Sequence, residues 1–365
     1  MSVFNHEAFA GHEQVVFCHD AISGLKAIIA VHSTALGPAA GGCRMWSYAS
    51  DEEALRDALR LSRGMSYKNA MAGLELGGGK AVIIGDAGKD KSEALFRSFG
   101  RFVEGLSGKY ITAEDVGISV SDMEIVAQET DHVGGLNSGQ AASGDPSPFT
   151  ARGTFNGIRA AVRHRLGKQD VRGLVVAVQG LGHVGWHLCE ELHRAGAKLI
   201  VADINDDITR KAVSAFGATA VSCDEILFCD ADVVAPCALG AIMNEQSIPR
   251  IKARIVAGAA NNQLSSASDG DLLRLQKILY APDYVINAGG IINVAGEIIG
   301  RYDRTLVDSK VASIHDVLLD IFIRADREGR ATSDVADSMA QEKILQARQR
   351  QMKGTGAGRT VKHVA

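Results

Sequence analysis

The sequence lacks long hydrophobic runs, an excess of charge of one sign and a recognisable export signal, and each absence excludes a class of protein. The longest apolar segments, such as residues 27–31 and 174–178, are far shorter than the roughly 20 residues that cross a bilayer. The formal net charge is −4, and no basic stripe suited to nucleic acid is present. The first residues show no basic start followed by an apolar stretch. We therefore expect no membrane, no nucleic-acid partner and a cytoplasmic location.

Cysteines are few, and their spacing indicates no special role. The six cysteines include no C-x-x-C motif, and six in 365 residues do not make a disulfide framework. Reduced thiols are the expectation. Hydrophobic residues make up 46% of the chain and charged residues 22%, which is enough apolar material for large cores, and the length predicts about two domains.

Alternating strand-like and helix-like segments predict an α/β fold. In the first third, the pattern predicts a helix after the capping box of Ser50 and Glu53, a second helix at 94–106, and strands at 25–31, 80–84 and 110–113. A stretch rich in Gly, Ser, Asn and Pro, residues 134–148, predicts a hinge. Beyond it, a βαβ series predicts a doubly wound parallel sheet, with a helix at 184–194 and strands at 174–179, 198–202, 231–234, 254–257 and 284–286. A charged helix is predicted at 334–352.

The segment Gly180-Leu181-Gly182-His183-Val184-Gly185 matches the G-x-G-x-x-G pattern. It follows an apolar strand, opens a helix and leads to a second strand that ends before Asp203, which is the context of a dinucleotide site. The alternative is a tight strand-to-helix turn that binds no ligand. The Asp203 carboxylate suits ribose hydroxyls and repels a 2′-phosphate, and Ile204 supplies no cation, so the pattern favours NAD over NADP.

Two histidines on the same predicted helix have a spacing that could suit a metal. His183 and His187 stand four residues apart, but no H-E-x-x-H motif accompanies them. We interpret them as ordinary helix histidines and expect no metal.

Two lysines and an aspartate are candidates for chemistry. Lys68 continues an apolar helix face, either as a buried ammonium group or as a side chain that reaches solvent at the helix end. Lys80 follows Gly77-Gly78-Gly79 in a near miss for a phosphate-binding loop, and we expect these glycines to let a substrate approach the backbone beside the amine. Strand alternation predicts Ala113 and Asp115 on one face.

These motifs have an order that resembles a known family. The segments are Lys68-Asn69, residues 77–80 (GGGK), 112–117 (TAEDVG), 144–148 (GDPSP), 257–264 (AGAANNQL) and 281–290 (APDYVINAGG). Together they resemble the glutamate/leucine/phenylalanine/valine dehydrogenase family, most closely its leucine dehydrogenase branch, over roughly residues 13–347.

The resemblance implies a fold, an activity and an assembly. The fold would comprise an N-terminal α/β substrate domain (1–136, joined by the helical segment 331–365) and a Rossmann-type NAD domain (137–330), with a cleft between them. The activity would be oxidative deamination of an apolar L-amino acid by NAD to the 2-oxo acid, ammonia and NADH, together with the reverse reaction. The assembly would be a homo-oligomer, an octamer or a dimer.

The resemblance also implies residue roles. Lys80 would act as a base on the water that attacks an imine, Asp115 would exchange protons with the amino group, and Lys68 would bind the substrate carboxylate. Further substrate contacts are implied for Ala40, Gly41, Gly42, Ala113, Asn261, Ile291 and Val294. Cofactor contacts are implied for Thr150, residues 180–185, Asp203, Ile204, Ala235, Pro236, Cys237, Asn261 and Asn287.

Alternatives concern the substrate and the loss of chemistry. Ala40 and Val294 are apolar where the glutamate branch has a lysine and a hydroxyl residue, so a side-chain carboxylate would be left unpaired and leucine, valine or isoleucine is favoured. Ala40 also stands where leucine is common, which leaves an aromatic amino acid open. A 2-hydroxy-acid dehydrogenase would need a His–carboxylate pair and an arginine, and a non-catalytic NAD sensor would not need Lys68, Lys80 and Asp115 together. Subunit number, direction and the role of the tail 353–365 stay open.

Overall fold

The computed structural model of the chain describes residues 3–136 and 145–356. These residues divide into two compact units: one takes its described residues from Met1–Gly144, Val294–Tyr302 and Met339–Ala365, and the other consists of Asp145–Asn293 and Asp303–Ser338. The C-terminal segment thus joins the first unit from Met339, whereas the sequence placed this return at residue 331. The predicted boundary at 136/137, most of the predicted hinge and the end of the tail fall on or beside residues 137–144 and 357–365, which lie outside the described residues.

The first unit is built on a mixed sheet whose strand order is β1-β2-β5-β3-β6, with β4 also paired to β5. The strands are β1 (Gln14–Asp20), β2 (Leu25–Ser33), β3 (Ala39–Ala40), β4 (Cys43–Trp46), β5 (Gly77–Ile84) and β6 (Tyr110–Ile111). The helices are α1 (Asp51–Met71), α2 (Glu93–Glu104) and α3 (Val120–Val126). Helix α1 begins where the sequence predicts, because the Ser50 side chain accepts the Glu53 N–H at 3.1 Å.

Strand alternation divides the sheet of the first unit into two apolar faces. One face packs Ile28, Ala30 and Val82 against α1, and the other packs a larger set of strand residues against α2 and α3. Lys80 is two residues from Val82 on β5 and pairs with Ala30 of β2, so its side chain points to the α1 face.

The second unit contains a parallel sheet of order β12-β11-β10-β7-β8-β9. Its strands are β7 (Val175–Gln179), β8 (Lys198–Ala202), β9 (Thr219–Ala220), β10 (Val233–Pro236), β11 (Ile255–Val256) and β12 (Leu279–Tyr280). The helices that follow along the chain are α4 (Ser147–Leu166), α5 (His183–Arg194), α6 (Asp206–Phe216), α7 (Ser268–Leu275), α8 (Asp283–Ile286), α9 (Gly289–Ile298), α10 (Arg304–Glu328) and α11 (Thr332–Gly356). This is the doubly wound order 3-2-1-4-5-6 of a Rossmann fold, with the switch point between β7 and β10. The predicted α/β fold with a parallel sheet is confirmed.

The predicted strand at 284–286 is wrong, because this segment forms the short helix α8. Pro282 precedes the helix and its carbonyl accepts the Ile286 N–H at 3.0 Å, while the Asp283 side chain accepts the Tyr284 N–H. Pro and Asp favour a helix start, and three apolar residues are too few to show a period. The strand at this place is β12, which ends at Tyr280.

The last helix ends in the first unit. Gln341 of α11 donates to the Tyr67 hydroxyl at 2.7 Å, and Arg348 pairs with Glu13 at 3.2 Å. Within 3–136 and 145–356, no helix combines the length and the apolar character needed to span a bilayer.

Candidate functional site

Lys80 and Asp115 form a largely buried ion pair in the first unit. The Lys80 Nζ lies 2.7 Å from Asp115 Oδ2, and the Lys80 side chain is 7% exposed. Burial on its own would raise the pKa of Asp115, but Lys80 and Arg44 outweigh it and hold that pKa below its ordinary value. The carboxylate is therefore ionised at neutral pH and keeps the lysine amine in place.

Two glycines let the chain between β3 and β4 lie close to Asp115 and to β5. A Cβ on Gly42 would stand 2.5 Å from the Glu114 carbonyl oxygen and 2.9 Å from the Asp115 Cβ, and one on Gly41 would stand 1.8 Å from the Gly79 carbonyl oxygen. The backbone then runs from the bridge between Cys43 and Glu114 directly to Asp115. A side chain at 42 would push the Asp115 carboxylate away from the lysine, and one at 41 would collide with β5.

An arginine that the sequence analysis did not single out completes this cluster. Arg44 Nε donates to Asp115 Oδ2 at 3.0 Å, and Arg44 Nη1 donates to Asp57 Oδ2 at 2.9 Å. The sequence offered one signal for Arg44, which is its place two residues after a glycine pair at the start of a strand. Its partners Asp115 and Asp57 are 71 and 13 positions away along the sequence, so no local pattern joins them to it.

Lys68 lies in the last turn of α1 with a half-buried side chain. The deeply buried face of this helix runs through Ala58 and Ser62, so Lys68 stands at the side of that face. Its exposure is therefore intermediate between the two alternatives from the sequence, a buried ammonium group and a side chain that reaches solvent. The next residue, Asn69, is fully buried and donates to the Gly77 carbonyl at 2.6 Å, which ties the end of α1 to β5.

The triple glycine packs against other elements of the first unit. Gly77, Gly78 and Gly79 belong to β5 itself, and protein atoms already fill the space beside them. A Cβ on Gly78 would stand 2.0 Å from the Ser66 backbone nitrogen, and one on Gly79 would stand 2.6 Å from the Tyr110 ring. These glycines let the first unit pack closely on the side where a Cβ would stand. The approach of a substrate to their backbone stays a prediction.

The G-x-G-x-x-G turn in the second unit has the geometry of a pyrophosphate cradle. Gly180 has φ +91°, a conformation that favours glycine, and a Cβ on Gly185 would stand 1.9 Å from the Gly180 carbonyl oxygen. A Cβ on Gly182 would meet nothing within 4 Å, so the space before the N-terminus of α5 is open to a ligand. The three glycines thus fit a tight turn, a close approach and helix–strand packing.

Asp203 follows β8 and is tied to this turn. Its Oδ2 accepts the Leu181 N–H at 2.6 Å, and its Oδ1 accepts the Asn205 N–H at 2.9 Å. The neighbouring Ile204 is 94% exposed, so the ribose side of the cradle is open. His183 and Val184 form the first turn of α5. Among the described residues, no group of three or more His, Cys, Asp and Glu could hold a metal.

The remaining predicted cofactor residues of the second unit fall into three places. Ala235 and Pro236 end β10 beside the cradle, where the Cys237 N–H donates to the Gln179 carbonyl at 2.7 Å. Thr150 lies on α4, close to Gly290 of α9. A Cβ on Gly290 would stand only 2.7 Å from the Thr150 hydroxyl oxygen.

Asn287 and Asn261 form the third place. The Asn287 amide donates to Asn261 Oδ1 at 2.7 Å, whereas the buried Asn287 Oδ1 has no hydrogen-bond partner in the described part of the chain. An orphaned buried acceptor needs a donor. A carboxamide such as that of nicotinamide would supply one, so the residues fit a bound NAD.

The predicted substrate residues divide between the units. Those in the first unit are Ala40, Gly41, Gly42, Lys68, Ala113 and Val294, and those in the second are Asn261 and Ile291. Ala40 has no exposed surface, Ala113 is half-buried, and Ile291 and Val294 are both half-buried on α9. Within the first unit, Lys80 contacts Asp115 directly, and Gly42 lies beside Asp115.

Comparison with known proteins agrees with this architecture. The Glu/Leu/Phe/Val dehydrogenase dimerisation domain matches residues 12–132, and the Glutamate/Leucine/Phenylalanine/Valine dehydrogenase domain matches residues 202–351. The leucine dehydrogenase of Geobacillus stearothermophilus is 54% identical over 94% of this chain and 94% of its own. The valine dehydrogenase of Streptomyces albus is 47% identical over 94% of this chain and 95% of its own.

A solved structure shows the same fold. The crystal structure of L-tryptophan dehydrogenase from Nostoc punctiforme superposes with a TM-score of 0.84 at 46% identity, covering 93% of this chain and 97% of that one. The family assignment rests on two matched domains, on relatives of this identity and on a fold shared over nearly the full length. The chain belongs to the glutamate/leucine/phenylalanine/valine dehydrogenase family.

Proposed function

We propose that this chain catalyses the NAD-dependent oxidative deamination of an apolar L-amino acid to the 2-oxo acid and ammonia, and the reverse reductive amination. Leucine, valine and isoleucine are the favoured substrates. The carrying observation is the buried Lys80–Asp115 pair in a chain 54% identical to a leucine dehydrogenase. An amine and a carboxylate held 2.7 Å apart can pass protons to and from a substrate nitrogen and a water molecule.

The first unit acts on the amino acid. Lys68 binds the α-carboxylate, and Lys80 takes a proton from the water that attacks the imine carbon. Asp115 exchanges protons with the departing amino group and holds Lys80 in line. A charge-assisted bond between an ammonium group and a carboxylate orients the substrate more strongly than a neutral hydrogen bond does.

The second unit binds the cofactor. When bound, NAD would serve as the two-electron oxidant. The open N-terminus of α5 at Gly182 would receive the pyrophosphate, Asp203 would accept hydrogen bonds from the ribose hydroxyls, and Asn287 Oδ1 would accept a hydrogen bond from the carboxamide N–H. Thr150, Ala235, Pro236 and Cys237 line the remainder of the cofactor site.

The substrate side chain is met by apolar residues. Ala40 and Val294 offer no partner for a charged side chain, and this excludes glutamate. The small Ala40 supports an aromatic amino acid as the second candidate, as does 46% identity with the L-tryptophan dehydrogenase of Nostoc punctiforme. We further propose a homo-oligomer, an octamer or a dimer, in the cytoplasm; the dimerisation domain of the family supports assembly.

A substrate panel tests the function. The purified chain with NAD should form NADH from leucine, valine and isoleucine and none from glutamate. Lys80→Ala should lower kcat by about 10²–10⁴, the range for a general acid–base group, while NADH binding measured by fluorescence persists. The exposed Lys26→Ala is the matched control and should keep wild-type rates. No NADH from any amino acid would reject the function, and near-normal turnover of Lys80→Ala would remove that lysine from the mechanism.

A further inference from the structure

Arg44 joins two carboxylates with one guanidinium group. Its Nε lies 3.0 Å from Asp115 Oδ2 and its Nη1 lies 2.9 Å from Asp57 Oδ2. The Arg44 side chain is 21% exposed and that of Asp57 14%. Because the fork of an arginine is planar and rigid, two simultaneous bonds fix its orientation better than a lysine amine could.

The far end of this bridge is itself anchored on α1. Asp57 Oδ2 also accepts the Tyr48 hydroxyl at 2.8 Å, and Asp57 Oδ1 accepts Arg60 Nη2 at 3.0 Å. Arg44 therefore spans from a fixed carboxylate on the helix to Asp115.

Asp115 needs such a support. It lies outside the regular strands, one residue beyond the bridge between Cys43 and Glu114, and its Oδ2 accepts from both Lys80 and Arg44. A lysine that works as a base is neutral in part of each turnover, and its ion pair with Asp115 is then lost. The guanidinium group of Arg44 stays charged throughout.

We propose that Arg44 is a positioning residue that holds Asp115 in place during the part of the cycle in which Lys80 is unprotonated. This assignment rests on the proposed function. It requires that Arg44 act through Asp115, and not merely as a strut between β4 and α1.

Kinetics of Arg44→Met against pH test the assignment. Removing the cation favours the protonated state of the Lys80–Asp115 pair as a whole, so the acid limb of kcat/KM should move up by about one pH unit. The kcat should fall by about tenfold or more, with the Kd for NADH unchanged. Arg44→Lys keeps the charge but cannot bridge both carboxylates, so it should leave the acid limb near its wild-type position and restore kcat only in part. Arg97→Met removes an arginine of α2 that pairs with Glu93 and Glu129, and it should change neither quantity.

A double-mutant cycle separates positioning from a structural role. In an Asp115→Asn background, Arg44→Met should change kcat by less than about twofold, because its target is gone. Equal factors in both backgrounds, or an unmoved acid limb in Arg44→Met, would overturn the assignment. If Arg44→Met does not fold, Asp57→Asn carries the test, because loosening the far end of Arg44 should shift the limb in the same direction by less, and an unmoved limb would again overturn it. A wild-type chain inactive on every amino acid rejects the proposed function together with this inference, whereas an active wild type with an unaffected Arg44 variant rejects only the inference.

Discussion

Acid should destabilise the folded chain through His32, a histidine of β2 that is 6% exposed. Its Nδ1 lies 2.7 Å from the Ser66 hydroxyl of α1, and its ring meets that of His12 edge-on at 4.9 Å. Burial lowers the pKa of His32 to about 4, and His12, Arg348 and Arg63 act in the same direction, against one backbone hydrogen bond.

The change in the free energy of unfolding with pH depends on the pKa of His32 in the unfolded and the folded chain. The unfolded chain binds a proton at His32 near the ordinary value of 6.5, but the folded chain does so only near pH 4. The stability contributed by neutral His32 is therefore complete above pH 6.5 and is lost as the pH falls towards 4. Linkage gives a loss of about 2 kcal/mol at pH 5 and about 3 kcal/mol at pH 4. Burial also lowers the pKa of His12, which adds a loss of the same sign.

Urea unfolding at pH 7.5 and pH 5, followed by circular dichroism at one protein concentration, measures this loss. His32→Asn keeps a polar group near Ser66 but cannot titrate, so it should lose about 2 kcal/mol less than the wild type between these two pH values. The matched control is His19→Asn, which removes an exposed histidine of β1. If His32→Asn and His19→Asn lose equal stability on acidification, buried His32 is not the acid-sensitive group and the reasoning fails.

Three further predictions concern the cofactor and the substrate. Gly182→Ala should weaken NADH binding and leave the Tm unchanged, because its Cβ meets open space. Gly185→Ala should weaken NADH binding and also lower the Tm, because its Cβ would collide with the Gly180 carbonyl. Equal losses of Tm in the two variants would contradict the cradle geometry. NAD should exceed NADP by more than tenfold in kcat/KM because Asp203 repels a 2′-phosphate, and equal rates would remove Asp203 from that role. Ala40→Leu should suppress activity on phenylalanine or methionine more than on valine, by a factor that corresponds to about 1–3 kcal/mol per displaced methylene. Equal losses on all substrates would mean that residue 40 does not line the side-chain pocket.

The family, the α/β class and the Rossmann order could be predicted because each depends on short-range patterns. The run from β7 through Gly180 to Asp203 is a local sequence of strand, turn, helix and strand, and periodicity reveals all four elements. The structure agrees with this segment to within one residue at each end.

Other features depend on contacts that no local pattern contains. Arg44 meets Asp57 on a helix and Asp115 on a loop, so only the folded chain reveals the bridge. The close packing beside the glycines of β5 was not predicted, because their neighbours Ser66 and Tyr110 come from other elements. The apolar run 284–286 was too short to distinguish a strand from helix α8.

The close packing of β5 limits how substrate preference can be re-engineered. A Cβ on Gly77 would stand 2.0 Å from the Ser33 carbonyl oxygen, and those on Gly78 and Gly79 would stand 2.0 and 2.6 Å from their nearest neighbours. A mutant library that varies these positions would consist mostly of misfolded chains, whatever its effect on specificity. Ile291 and Val294 are half-buried on helix α9, where side chains of different size can be tried without moving a strand. A library that varies Ile291 and Val294 and keeps the β5 glycines fixed should contain a larger share of folded variants.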